Sequence, residues 1–165
     1  MSNPQMIMYD EEFKAINAII EKLLRESNSK VIFLVDKNGQ LISGVGEVEK
    51  FDTTSLASLT AGNIAATGGL AKLIGEKEFS ILFHEGEKDN LHISIVAGRV
   101  ILVVLFDNRT TLGMIRIKVK ALVKELSEVF REMFERSTAA GPATRVEAAF
   151  VDEAEDEIDR LFGDL

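Results

Sequence analysis

Apolar residues near the start of the chain recur at three- and four-residue spacing: Tyr9, Phe13, Ile16, Ile20, Leu23 and Leu24. That period turns one face of a helix toward a core, and it predicts an amphipathic helix over about residues 10–27. The pattern then changes. VIFLVD (31–36) is a short apolar run of strand-forming residues, and QLISGV (40–45) reads as its return. Between them, Asp36-Lys37-Asn38-Gly39 is a hairpin signal, because Asn-Gly favours a tight turn. Further on, EFSILFHEG, NLHISIVAG and VILVVLFD are three more strand-like runs. Glu87-Lys88-Asp89-Asn90 and Ala97-Gly98-Arg99 separate them, and linkers this short imply antiparallel neighbours.

Between hairpin and meander lies a different pattern, DTTSLASLTAGNIAATGGLAKLIGE. It reads as a helix over about residues 53–74, capped by Asp52 or Thr53. Gly62, Gly68 and Gly69 lie inside it. Each interior Gly costs about 1 kcal/mol relative to Ala. On a helical wheel Leu56, Leu59, Leu70, Leu73 and Ile74 share one side, the side expected to pack on the sheet. Ser58, Gly62, Ala65 and Gly69 form a stripe about 110° away, with Ala61 at its edge and Lys72 continuing it. A surface so poor in side chains lets another backbone come close. It is read as a docking face for protein; the alternative is packing within its own subunit.

MIRIKVK (114–120) alternates like a strand, but Val119, Leu122, Val123, Leu126, Val129, Phe130 and Met133 continue at helical period. One long helix from about Leu112 to Glu135 is therefore expected. Residues 137–149 hold Ser, Thr, Ala, Gly and Pro, the composition of a flexible linker. Residues 150–165 read as an acidic tail with a short amphipathic helix in EDEIDRLF, leaving residues 1–136 as the folded domain. The fold class is α/β in the broad sense, more closely α+β: one five-stranded antiparallel sheet with helices on both faces. If the strand beginning at Phe79 lies at the sheet edge, Phe79, Ile81 and Phe83 make it apolar enough to pair with the same strand of a second copy. A twofold homodimer follows from that pairing.

Composition narrows the function. The net charge is −8, of which residues 147–165 carry −7. No basic surface suited to nucleic acid is expected. No apolar run reaches membrane-spanning length, so no membrane insertion is expected. The chain has no Cys and no secretory leader pattern, which fits the cytoplasm. No nucleophile elbow or phosphate-binding loop occurs. His84 and His92 could approach each other across a hairpin, but no third ligand joins them, so no metal is expected. Arg99 and Arg109 fall in turns, where an arginine finger for a GTPase can be imagined but a surface charge is commoner.

KVIFLVDKNGQLISGVG, DTTSLASLTAGNIAATGGLAKLIGE, FHEGEKDNLHISIV and LVVLFDNRTTLGMIRIK together resemble the roadblock family, in particular its bacterial members that serve cell polarity and gliding motility. The resemblance spans about residues 6–136, with a similar acidic ending in DEIDRLF. It implies a homodimer joined through the strand beginning at Phe79 and the Gly-rich helix. It resolves MIRIKVK as the start of the last helix. It implies no cofactor and no catalytic residue in this chain. The implied activity is stimulation of GTP hydrolysis by a small Ras-like GTPase, with two copies of this chain per GTPase. The docking face would include Ser58, Ala61, Gly62, Ala65, Gly69 and Lys72. No arginine finger is implied; the GTPase would supply its own Arg and Gln. Ile158, Leu161 and Phe162 would anchor the tail on a separate surface of the GTPase. Enrichment at a cell pole is implied as well. The alternatives are a scaffold that binds a GTPase without stimulating it and, more remotely, a small-molecule sensor.

Overall fold

The structure is a computed structural model that describes residues 6–139. The first helix, α1 (Asp10–Ser27), opens with Asp10, Glu11 and Glu12, whose charges suit the positive end of the helix dipole. It leads into a hairpin of β1 (Val31–Asp36) and β2 (Leu41–Gly46). Then come α2 (Thr53–Leu73), β3 (Ile81–Glu85), β4 (Asn90–Val96), β5 (Val100–Phe106) and α3 (Leu112–Ala139). The strands form one antiparallel sheet in the order β2-β1-β5-β4-β3. The sheet and α1, α2 and α3 up to Phe130 make one compact unit; residues 6–9 and 131–139 belong to a second.

The central strands β1 and β5 are buried on both faces, which explains their unbroken apolar runs. Side-chain alternation divides them between two cores. Val31, Phe33, Val35, Ile101, Val103 and Leu105 turn toward α2 and meet Ala57, Ala61 and Ile64. Ile32, Leu34, Leu102 and Val104 point the other way and are fully buried, as are Ile16, Ile20 and Leu23 of α1 and Ile115 of α3. The Ser43 hydroxyl on β2 donates to the Asn17 amide oxygen of α1, joining that helix to the outer strand.

The turns refine the sequence reading. The first hairpin is not closed by a two-residue Asn-Gly turn. Asp36 donates its N–H to the Gln40 carbonyl at 2.9 Å, so Lys37, Asn38 and Gly39 form a three-residue loop with Gly39 at φ +89°. The Asp36 carboxylate accepts from the N–H groups of Asn38 and Gln40, both at 2.9 Å, and its loop-bonding decides the geometry. Between β4 and β5, Ala97 and Gly98 both take positive φ and Arg99 donates back to Val96, a turn matched to strand twist. The expected long helix is present, with Met114–Lys120 in its first turns. It continues to Ala139, past the expected linker start at residue 137. Ser137 and Thr138 donate their hydroxyls back to the carbonyls of Met133 and Phe134, so they are satisfied inside the helix. In the same unit, the Arg136 guanidinium lies 4.5 Å from the centre of the Tyr9 ring, a cation–π contact. The remaining linker positions and the tail residues, Ile158, Leu161 and Phe162 included, lie outside the described residues.

His84 and His92 do not meet. Phe83 pairs with His92 and His84 with Leu91, which sends the two rings to opposite faces of the sheet. His84 faces α2, where its Nε2 lies 3.0 Å from the Asn63 amide nitrogen. His92 is buried on the other face, and neither its ring nitrogens nor the buried Ser94 hydroxyl has a hydrogen-bond partner among the described residues. Burial first, and the nearby Arg116 charge second, hold the His92 pKa below its ordinary 6.5. The unfolded chain therefore binds a proton at a pH where the folded chain does not. The stability from keeping His92 neutral is complete above pH 6.5 and is lost as the pH falls below it. Urea unfolding at about pH 7.5 and 5.5 should show a loss on the order of 1 kcal/mol that His92→Leu abolishes. Equal pH slopes in both proteins would refute the assignment.

Candidate protein-docking site

Helix α2 begins where Asp52 caps it. The Asp52 carboxylate accepts the Ser55 N–H at 3.2 Å and the Ser55 hydroxyl at 2.7 Å. These bonds, the hydroxyl's first, hold its pKa below the ordinary carboxylate value. The cap settles the start of the helix, but the face it buries differs from the one expected. Ala57, Thr60, Ala61, Ile64 and Ala71 are buried. Leu59, Leu70, Leu73 and Ile74 are 74%, 54%, 85% and 64% exposed, and of the expected leucine face only Leu56 packs partly on the core.

The physical reason is the distance of approach. The sheet already presents Phe33, Val35, Ile101 and Val103 to α2, and large residues on both sides would hold the helix off. Alanines let the backbones close in. At the hairpin end, a Cβ added to Gly39 would stand 3.2 Å from the Ser58 Cα. Ala61 therefore belongs to the core, at 9% exposed, rather than to the edge of an open stripe.

Gly62 and Gly69 are on the exposed side, and Gly68 is half-buried and lines the groove beside the helix. A Cβ added at Gly62, Gly68 or Gly69 would meet nothing within 4 Å. Packing within the described subunit gives no reason for their lack of side chains. Ser58, Gly62, Ala65, Gly69 and Lys72 are all exposed. A groove of about 400 Å³ runs beside them, floored by Ala61, Ala65 and Gly69 and flanked by Lys37 and Lys72.

The second feature is the sheet edge. Strand β3 is an outer strand, paired on one side only, to β4. The regular ladder begins at Ile81, not Phe79; Phe79 precedes it and is half-buried. One further bond, from the Ile95 N–H to the Ser80 carbonyl at 3.0 Å, extends the pairing. Ile81 is 53% exposed. Phe83 is half-buried and stacks on Phe106 with ring centres 6.2 Å apart. Ile81 and Phe83 thus share a face, with Ile81 the more available for a second chain.

The turn arginine Arg109 has a local role. Its Nε donates to the Asp107 carboxylate at 2.9 and 3.2 Å, and its own carbonyl accepts from the Asn28 amide. That pairing raises the Arg109 pKa and lowers that of Asp107. Among the described residues no group of three His, Asp or Glu is placed to hold a metal, and no helix is long and apolar enough to cross a membrane.

Residues 15–106, from α1 through β5, match the family model of the Roadblock/LC7 domain. The chain belongs to the roadblock family. Its resemblance to MglB proteins is closer than family level. Myxococcus xanthus MglB is 59% identical, with a TM-score of 0.73 over 77% of this chain and 96% of that one. The gliding protein MglB of Thermus thermophilus is 28% identical, with a TM-score of 0.74 over 79% and 99%. An MglB described in a tetrameric arrangement is 29% identical, with a TM-score of 0.73 over 80% and 99%. No curated protein sequence gave a significant match. The backbone of this roadblock domain therefore shares the fold of MglB structures.

The open glycines carry a stability test. Because a methyl group at position 62 has free space, Gly62→Ala should raise the unfolding free energy by about 0.5–1 kcal/mol, read from urea unfolding of the isolated protein. A loss of stability would mean that another copy already packs against that glycine.

Proposed function

We propose that this protein is a homodimeric activator of a small Ras-like GTPase of the MglA kind, acting in cell polarity and motility. The observation that carries the reading is the open face of α2. Gly62 and Gly69 keep the helix thin toward solvent, and Gly68 beside the groove likewise meets no neighbour, at a cost in helix propensity that internal packing does not offset. A protein surface that needs close backbone approach accounts for that cost. Similarity to MglB proteins supplies the class of partner.

The mechanism is one of positioning. Two copies pair through their β3 edges, with Ile81 and Phe83 at the seam and Phe79 beside it. That brings both α2 faces to one GTPase. Ser58, Gly62, Ala65, Gly69 and Lys72 form the contact, with Ala61 beneath them. This chain supplies no catalytic group: Arg109 is engaged by Asp107, and its guanidinium serves the turn. The GTPase's own Arg and Gln are moved into place by docking. Correct placement of charge and water is where phosphoryl transfer gains most of its rate. Ile158, Leu161 and Phe162 of the acidic tail contact a separate surface of the GTPase. The protein acts in the cytoplasm, concentrated at a cell pole.

Phosphate release from GTP by the MglA-like GTPase of the same organism, with and without this protein, tests the reading. Strong stimulation is expected, with no hydrolysis by this protein alone. Replacing Ala65 and Gly69 together with Arg should leave a folded dimer and bring hydrolysis back to the basal rate. Undiminished stimulation by that variant would remove the docking assignment. Binding without stimulation by the unaltered protein would make it a scaffold instead.

The seam has its own test. Ile81→Asp places a charge on the exposed edge, and sedimentation should then report a monomer at concentrations where the unaltered chain is a dimer. A dimer that survives the change would move the interface elsewhere.

A further inference from the structure

We infer that the groove beside the α2 stripe recognises an acidic segment of the docked protein. The inference rests on the GTPase-docking reading and adds the chemistry of the contact. The groove is about 400 Å³, and Lys37, Lys72 and Lys77 stand around it with a single carboxylate, Glu78. Glu78 is engaged by Lys37 at 3.0 Å. Neither Lys72 nor Lys77 has an ion-pair partner among the described residues. Three lysines and one carboxylate thus surround one concavity.

Local structure explains only part of this cluster. Lys72 lies in the last turn of α2, where a cation suits the negative end of the helix dipole. Lys37 sits in the β1–β2 loop and Lys77 beyond the helix, so neither gains from that dipole. Three separate segments bring their charges to one groove. Its floor, at Ala65 and Gly69, has almost no side chain. The floor is also the middle of a helix, whose backbone N–H groups are bonded internally and offer nothing to a phosphate ion. The groove therefore suits a polypeptide lying on the floor, with carboxylates directed outward to the lysines. Charges at such a rim act mainly by steering association.

The test measures the association rate of the GTP-loaded GTPase with this protein at roughly 50 and 300 mM salt, a range over which charge screening changes strongly. Lys72→Glu with Lys77→Glu should slow association about tenfold or more at low salt and flatten the salt dependence. Glu78→Gln should speed association, because it removes the one negative charge and releases Lys37. Lys120→Glu with Lys124→Glu, on the exposed surface of α3, changes net charge equally and should have little effect. Circular dichroism and sedimentation establish that each variant is folded and keeps its oligomeric state. Equal rates and equal salt slopes for the groove variant and the unaltered protein would overturn the inference and take Lys72 out of the contact while leaving docking through Ala65 and Gly69 intact; an equal loss from the α3 variant would overturn the inference as well. Failure of the unaltered protein to bind would remove the docking reading and this inference together.

Discussion

The close contact between α2 and the sheet is the constraint on which the rest depends. The strands beneath the helix are filled with Phe33, Val35, Ile101 and Val103, and the helix meets them mainly with small residues, Ala57 and Ala61, beside Ile64. Small residues on the inner face bring the helix axis near the strands and leave the leucines on the remaining surface. A helix that buried its large residues would stand farther off, and the groove beside Ala65 would have a different depth. The apolar surface of α2 is consequently divided. Part of it closes the core, and part remains open, as Leu59, Leu70, Leu73 and Ile74.

That division links the helix to the neighbouring edge strand. Strand β3 has one unpaired side, and its Ile81 is exposed. His84 turns from the same strand toward Asn63 of α2. Helix and edge therefore meet through an exposed polar contact, with apolar residues left open on both elements. Monomeric proteins usually blunt such edges with charge, proline or a bulge. Here the regular pairing of β3 with β4 runs from Ile81 to Glu85. A second copy added there would extend the same hydrogen-bond ladder.

Much of this was legible in the sequence, and the rest was set by packing and bonding that a periodicity reading does not weigh. Periodicity located α1, the strands and most of α3, because each places a clear apolar set against one neighbour or two. It misassigned the inner face of α2 because it ranks residues by hydrophobicity. The face that α2 buries is instead built of Ala57, Ala61 and Ile64, two of them too small to stand out in a hydrophobicity ranking. The Asn-Gly signal located the hairpin but did not give the loop length, which the Asp36 carboxylate supports by bonding forward twice. The lysine groove was not legible beyond Lys72, since Lys37 and Lys77 come from segments that only the fold brings together. The same is true of His92, whose burial depends on the face its strand register selects.

The glycines of α2 give its outer surface an uneven relation to mutation. Glycine is the smallest residue, and the space above Gly62, Gly68 and Gly69 is empty. No substitution at those positions can make the surface lower; every one raises it. Change there runs in one direction, toward bulk and toward a helix that is easier to form alone. Chance replacement would therefore tend to improve the isolated subunit while closing the surface to close approach by another molecule. Gly62 and Gly69 on the exposed side of the helix thus keep a surface that is lower than the stability of the isolated subunit alone would favour.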